Sequence, residues 1–191
     1  AKRNLKSFKN CCFEIGSSNS NSLKNNSQDF GYCLGVLHHT PNTQKGLNDC
    51  VFKLKKGSPF LLYLYYNFDN RPYWYKLIWL LSDFPRRIIS KCPFKVKLLT
   101  TKLIAMIVYF PLAKLGKYLD KFNIEAKNLP LYDYKDKSFY FMLTDSFDRF
   151  STKIEKRFTK KEISKMMDVA GLENISFSES APFWVCLGYK K

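Results

Sequence analysis

Residues 29–66 read DFGYCLGVLHHTPNTQKGLNDCVFKLKKGSPFLLYLYY, and this stretch limits the possible folds more than any other. Phe30 to Val36 is a short apolar run broken by small residues, the pattern of a strand covered on both faces. Thr40 is placed to cap a helix with Pro41 at its first position, where a missing N–H costs nothing. Leu47, Cys50, Val51 and Leu54 follow at i, i+3, i+4 and i+7, one apolar stripe that predicts a helix over 44–55. Gly57 and Pro59 stop it, and Phe60 to Tyr66 is an unbroken apolar and aromatic run that predicts a second strand. Strand, crossover helix and strand make a βαβ unit, so the two strands are expected to lie parallel.

Ligands of such sheets lie beyond the carboxyl ends of the strands. The residues placed there are Gly35 to Thr40 after the first strand, and Tyr65, Tyr66 and Asn67 after the second. His38 and His39 are adjacent and point to different sides of the chain. One of them is expected to be a core hydrogen-bonder or cap rather than a base.

A second block lies at 157–189. Thr159 and Glu162 have the spacing of a capping box, and Ile163, Met166, Met167 and Ala170 form an apolar stripe ended by Gly171. Leu172 to Ser178 and Phe183 to Tyr189 then read as a hairpin. Between the blocks, Arg71 to Ser82 predicts a helix after Pro72, and Pro85, Pro93, Pro111 and Pro130 punctuate the remainder. Ser138 to Phe150 predicts another short helix with Asp145, Asp148 and Arg149 on its polar face, where a local ion pair is the plain expectation. Leu103 to Phe110 is apolar without a break. Only 11 residues separate Lys102 from Lys114, fewer than the ~20 of a spanning helix, so no transmembrane segment is expected. The region reads instead as a helical cap, or as a lysine-flanked apolar surface that grips a membrane or a lipid-like substrate.

The formal charge is +16, from 26 lysines and six arginines against 16 acids. Phosphate and nucleic-acid sites favour the arginine fork, so this lysine excess reads first as compositional drift and a solvated surface, with a polyanion or an anionic membrane as the lesser alternative. Six cysteines, at 11, 12, 33, 50, 92 and 186, show no Cys-x-x-Cys pair and no histidine at metal spacing. No metal site is expected, and free thiols point to a reducing cytoplasmic compartment. The first ten residues, AKRNLKSFKN, lack the apolar core of a secretory leader.

The Gly35–Val36–Leu37–His38–His39–Thr40 segment, the Leu54–Lys55–Lys56–Gly57 turn and the aromatic strand after it resemble class I S-adenosylmethionine-dependent methyltransferases of the type 11-like branch. Arg157–Phe158–Thr159 and Pro182–Phe183–Trp184 are similar to the same branch. The resemblance implies an α/β fold: a partial Rossmann-like sheet from residues 1–66 and 157–191, finished by an antiparallel last strand inserted into the sheet. Residues 67–156 would form a helical insertion or cap. It implies that Ala1 to Leu5 end a helix and Cys12 to Ile15 form a strand, with Ser17 and Ser18 in the loop that meets the adenine. Leu34, Gly35 and Val36 would line the cofactor, S-adenosylmethionine. His38 or His39 would be the base, and Tyr65, Tyr66 and Arg71 would face a small-molecule acceptor. The family's glycine-rich loop and ribose-binding acid have no counterpart in the sequence. The chain therefore matches the C-terminal two-thirds of such an enzyme and is expected to bind the cofactor weakly by itself. The alternative is a non-catalytic basic, aromatic-rich binding module at a membrane surface.

Overall fold

The computed structural model describes residues 3–17, 22–124, 126, 128–180 and 183–191. In chain order the elements are β1 (Gly31–Leu34), α1 (Thr43–Phe52), β2 (Pro59–Tyr63), α2 (Tyr73–Ile89), α3 (Phe94–Ile104), a π-helical turn (Ala105–Tyr109), α4 (Phe110–Lys121), α5 (Phe139–Ser151), α6 (Lys160–Val169), β3 (Leu172–Phe177) and β4 (Val185–Lys190), so the chain is α/β. It forms two compact units. One holds Ala1–Leu64, Lys161–Ser178 and Val185–Lys191, and the other Tyr65–Lys160 and Glu179–Trp184.

The first unit carries a four-stranded sheet in the order β1-β2-β4-β3. β1 and β2 are parallel, with Gly31 opposite Phe60 and Leu34 opposite Tyr63, as a βαβ unit requires. β4 runs antiparallel to both β2 and β3, so the last strand enters the sheet between them instead of extending its edge. Its Gly188 permits this crowding, because a Cβ there would come within 3.0 Å of Met167 Cε and 3.2 Å of Leu172 Cβ. Leu47 and Val51 of the predicted helical stripe are buried on α1, and Ile163 and Met167 are buried on α6. Leu54 is buried past the end of α1 in a bridge to Gln28, so the helix stops short of the expected 55. Gly171, at φ +85°, ends α6 as expected.

Four expectations need correction here. Thr40 does not cap α1. Asn42 does, accepting from Lys45 N at 2.9 Å, while the Thr40 hydroxyl donates to the Leu37 carbonyl at 2.7 Å. β1 is shorter than 30–36 and open on one face, with Phe30, Tyr32, Leu34 and Val36 exposed. The small residues Gly31 and Cys33 take the inward side, where a Cβ on Gly31 would lie 2.9 Å from the Phe60 ring, so the large residues point out. Cys12 to Ile15 form no strand, and Arg3 to Leu5 lie in turns rather than a helix; Ala1 and Lys2 fall outside the described residues. A strand needs a backbone partner as well as apolar residues, and this exposed segment pairs with no named strand.

The second unit is helical. α2 continues through Pro85 to Ile89, well past the predicted end at Ser82. Phe94–Lys121 is one continuous helix of 28 residues, with a mean hydropathy of 1.6 in its most apolar stretch. By length and composition this helix is sufficient to cross a membrane, which the run between Lys102 and Lys114 alone did not reveal. Pro111 does not break it. The π-helical turn immediately before relaxes the backbone around Ile107, the carbonyl that a proline ring at 111 crowds. Thr101, Ala105, Tyr109, Ala113 and Gly116 form its single buried stripe. Tyr109 and Ala113 join Ile89, Met142 and Phe150 in the unit's core. Ser138 caps α5 by accepting from Phe141 N. Its polar side chains turn to different partners: Asp145 accepts from the Tyr109 hydroxyl at 3.1 Å, Asp148 from the Tyr65 hydroxyl at 3.0 Å, and Arg149 donates to Ser82 Oγ at 3.2 Å. Burial pushes the Asp145 carboxyl and the Tyr109 phenol up from their ordinary values.

Candidate functional site

In the first unit, β1 ends at Leu34 and the chain turns at Gly35, whose φ of +72° lies in the left-handed region. Gly35 N donates to the Tyr63 carbonyl at 3.1 Å, which fixes the turn against the end of β2. A Cβ at Gly35 would meet only Tyr63 Cδ1, at 3.9 Å, so the backbone is open to close approach. Leu34 and Val36 on either side are exposed. Leu37–His39 then form a single 3-10 turn. Two hydroxyls fasten it: Thr40 and Thr43 both donate to the Leu37 carbonyl, at 2.7 and 3.0 Å.

This turn sets the two histidines apart. Their rings lie 4.1 Å apart, and the His38 ring meets Tyr63 nearly edge-on at 6.5 Å. His38 is wholly buried, whereas His39 is half-buried. His39 is the less covered of the two, although its Nε2 is buried as well. Ser17 lies in an exposed segment, and Ser18 falls outside the described residues.

The second unit gathers Tyr65, Tyr66 and Arg71 into one aromatic cluster. The Tyr66 ring packs at 5.4 Å from Phe183 and 4.8 Å from Phe68, and the Arg71 guanidinium lies over Phe183 at 5.3 Å and over Tyr75 at 5.4 Å. Arg71 also donates to Asn128 at 3.3 Å and faces Asp133 at 3.8 Å.

The centre of this cluster is Arg157, to which sequence reasoning assigned no role. Its guanidinium lies 4.7 Å from the Phe68 ring centre, 5.1 Å from Trp79 and 5.2 Å from Tyr65, and it donates to the Tyr66 carbonyl. Glu155 pairs with it at 2.7 Å and also accepts from the Trp79 indole at 3.4 Å. Both side chains are buried, and burial holds the Arg157 guanidinium below its ordinary value. Asp69 ties in the neighbouring chain, accepting from Trp184 Nε1 at 2.8 Å and from Lys160 N at 3.0 Å. Arginine scarcity is the signal that could have found this centre. In a chain with 26 lysines, six arginines mark positions where a planar fork is needed, and Arg71, Arg86 and Arg157 all keep their side chains covered. Among the described residues no group of three or more His, Cys, Asp or Glu side chains is arranged to hold a metal ion.

No family model matches the chain, and no curated protein matches it. Among solved structures it is similar to a Thermotoga maritima protein described as a SAM-dependent methyltransferase, possible histamine N-methyltransferase. Identity is 16%, the TM-score is 0.42, and the alignment covers 92% of this chain and 62% of that one. The chain thus spans less than two thirds of that protein's length.

Proposed function

We propose that the protein carrying this chain is an S-adenosylmethionine-dependent methyltransferase acting on a small molecule. One observation carries the reading. A parallel strand pair is followed by a reversed last strand inserted beside it, and the open Gly35 turn leaves the carboxyl end of β1. That is the sheet ending implied by the family resemblance of residues 29–66 and 157–189.

The residues present fit the cofactor at one point. Gly35 leaves its backbone uncovered between two exposed apolar side chains, a surface against which a nucleoside can lie. When bound, S-adenosylmethionine supplies a methyl carbon activated by its sulfonium. Leu34, Gly35 and Val36 would orient it by apolar and backbone contact, and His39 would accept the acceptor's proton. As the family resemblance implies, Tyr65, Tyr66 and Arg71 would supply aromatic faces and a cationic group for a polar acceptor.

The test is methyl transfer by the natural protein from labelled S-adenosylmethionine to a metabolite extract. Label appearing in a small molecule, and lost in the His39→Ala variant, supports the reading. A protein that neither binds the cofactor nor transfers label is the binding module instead.

A further inference from the structure

α2 is built inside out. Tyr73, Leu77, Leu81, Phe84 and Ile88 recur at helical spacing along one face, and that face points to solvent. Tyr73 is 88% exposed, Phe84 72% and Leu81 69%. The opposite side is turned inward and carries the charged pair Asp83 and Arg86 beside Ile89, all three buried. Ordinary amphipathic helices of a globular unit do the reverse. Helix Phe94–Lys121 repeats the theme. Leu99, Leu103, Met106, Ile107 and Phe110 are exposed, and only its narrow stripe of largely small residues is covered. Single exposed apolar residues are commonplace, but continuous faces on two successive helices mark a docking surface.

Charge identifies the occupant. The exposed charged residues of α2 and of the turn after it are Lys76, Arg87 and Lys91, and those of Phe94–Lys121 are Lys95, Lys102, Lys114, Lys117 and Lys121. The acid of α2, Asp83, is buried against Arg86, and that of the longer helix, Asp120, is paired with Lys135. Lys117 is paired with the exposed Asp136. An exposed face of large apolar side chains edged mainly by cations fits an anionic bilayer, whose acyl boundary takes the apolar groups and whose headgroups take the cations. α2 has 17 residues and keeps a charged pair on its inner side, so it lies along the membrane plane and does not cross it.

We infer that the outward face of α2, continued by the helix Phe94–Lys121, is a monotopic docking surface for anionic lipid bilayers. This assignment is independent of the methyl-transfer reading and concerns where the protein works rather than what it does. Two copies of the chain meeting through the same face would bring its cations together, which is the arrangement that charge complementarity disfavours.

Flotation of the purified protein with vesicles tests it. Vesicles of phosphatidylcholine mixed with phosphatidylserine should carry the protein up, and phosphatidylcholine alone should carry far less. Leu81→Asp combined with Phe84→Asp changes only exposed positions, so it should abolish flotation while leaving the circular dichroism spectrum intact. Lys76→Gln combined with Lys91→Gln should weaken binding by roughly 25-fold, about five-fold per lost cation, with further weakening in high salt. Alkaline carbonate should strip the wild type from the vesicles. Resistance to carbonate would overturn the proposal in favour of a spanning helix. Failure to float, with a concentration-dependent dimer that Leu81→Asp and Phe84→Asp dissolve, would overturn it in favour of a second copy of the chain.

Discussion

The rings of His38 and His39 lie 4.1 Å apart, yet His38 is sealed in the interior while its neighbour reaches the surface. The 3-10 turn causes the difference, because at three residues per turn it rotates successive side chains by about 120°, enough to take one ring inward and leave its neighbour nearer the surface. Replacing the two residues should therefore give different phenotypes. His39→Ala should leave the fold intact and reduce methyl transfer by about 10²–10⁴, the range of a lost general base. His38→Ala should cost about 1–3 kcal/mol of stability from the packing lost with a wholly buried ring. Urea denaturation beside steady-state kinetics separates the two, and equal stability losses would remove the distinction.

β1 depends on the small size of its inward residues. A methyl group on Gly31 would lie 2.9 Å from Phe60 Cδ2 and 3.0 Å from Leu54 Cδ2, and both of those side chains are buried. Neither can swing away, so Gly31→Ala should destabilise by about 1–3 kcal/mol through overpacking. Gly57→Ala gives a useful contrast. At φ +77° with nothing within 4 Å of a Cβ, it should show backbone strain of about 1–2 kcal/mol without any packing conflict. Trimming Phe60 to Leu should rescue Gly31→Ala and leave Gly57→Ala unrescued, as read from melting temperatures of the double variants.

Arg157 holds the aromatic cluster of the second unit by packing and charge together. Arg157→Ala would leave Glu155, fully buried, without its ion-pair partner, a loss of about 3–5 kcal/mol. Arg157→Lys keeps the charge but cannot donate from a flat fork between Phe68, Trp79 and Tyr65. It should recover part of the stability and little of the acceptor affinity. Trp79 fluorescence reports the environment directly, and an emission maximum unchanged in Arg157→Ala would show that the guanidinium does not shape the cluster.

What could be read in the sequence was periodicity. The stripe at Leu47, Val51 and Leu54 and the run from Phe60 located α1 and β2, and the block from Thr159 located α6, β3 and β4. Periodicity does not say which side of an element faces the core. Phe30, Tyr32 and Leu34 looked like one half of a buried strand and point to solvent, and the α2 stripe is as regular as any core stripe yet lies outside. Proline misled in the opposite sense. Pro85 and Pro111 read as breaks, but a helix tolerates the lost N–H where tertiary packing or a π-helical turn absorbs it. On the site side, adjacency made the histidines visible at once, whereas Arg157 and Glu155 are joined to Tyr65 and Trp79 only through folding.

Asp83 makes the acid response of α2 predictable. Its carboxylate accepts from Arg86 Nε at 2.6 Å and from Arg87 Nε at 2.7 Å, and the Asp83 and Arg86 side chains are both covered. Burial alone would raise the carboxyl. The two guanidinium hydrogen bonds outweigh it and hold the folded value below the ordinary one. A carboxyl lowered on folding contributes stability that is present above its unfolded value, ~3.9, and is lost as pH falls through the folded value. At neutral pH, Asp83→Asn should therefore cost about 3–5 kcal/mol, because Arg86 stays buried without a counter-charge. As pH falls through the folded value the wild type should lose the same interaction as its carboxyl takes up a proton, and the gap between the two proteins should narrow. Thermal melts of both proteins across the acid range measure that gap. A difference that stays constant from neutral pH down would mean that the pair is not what holds α2 to its unit.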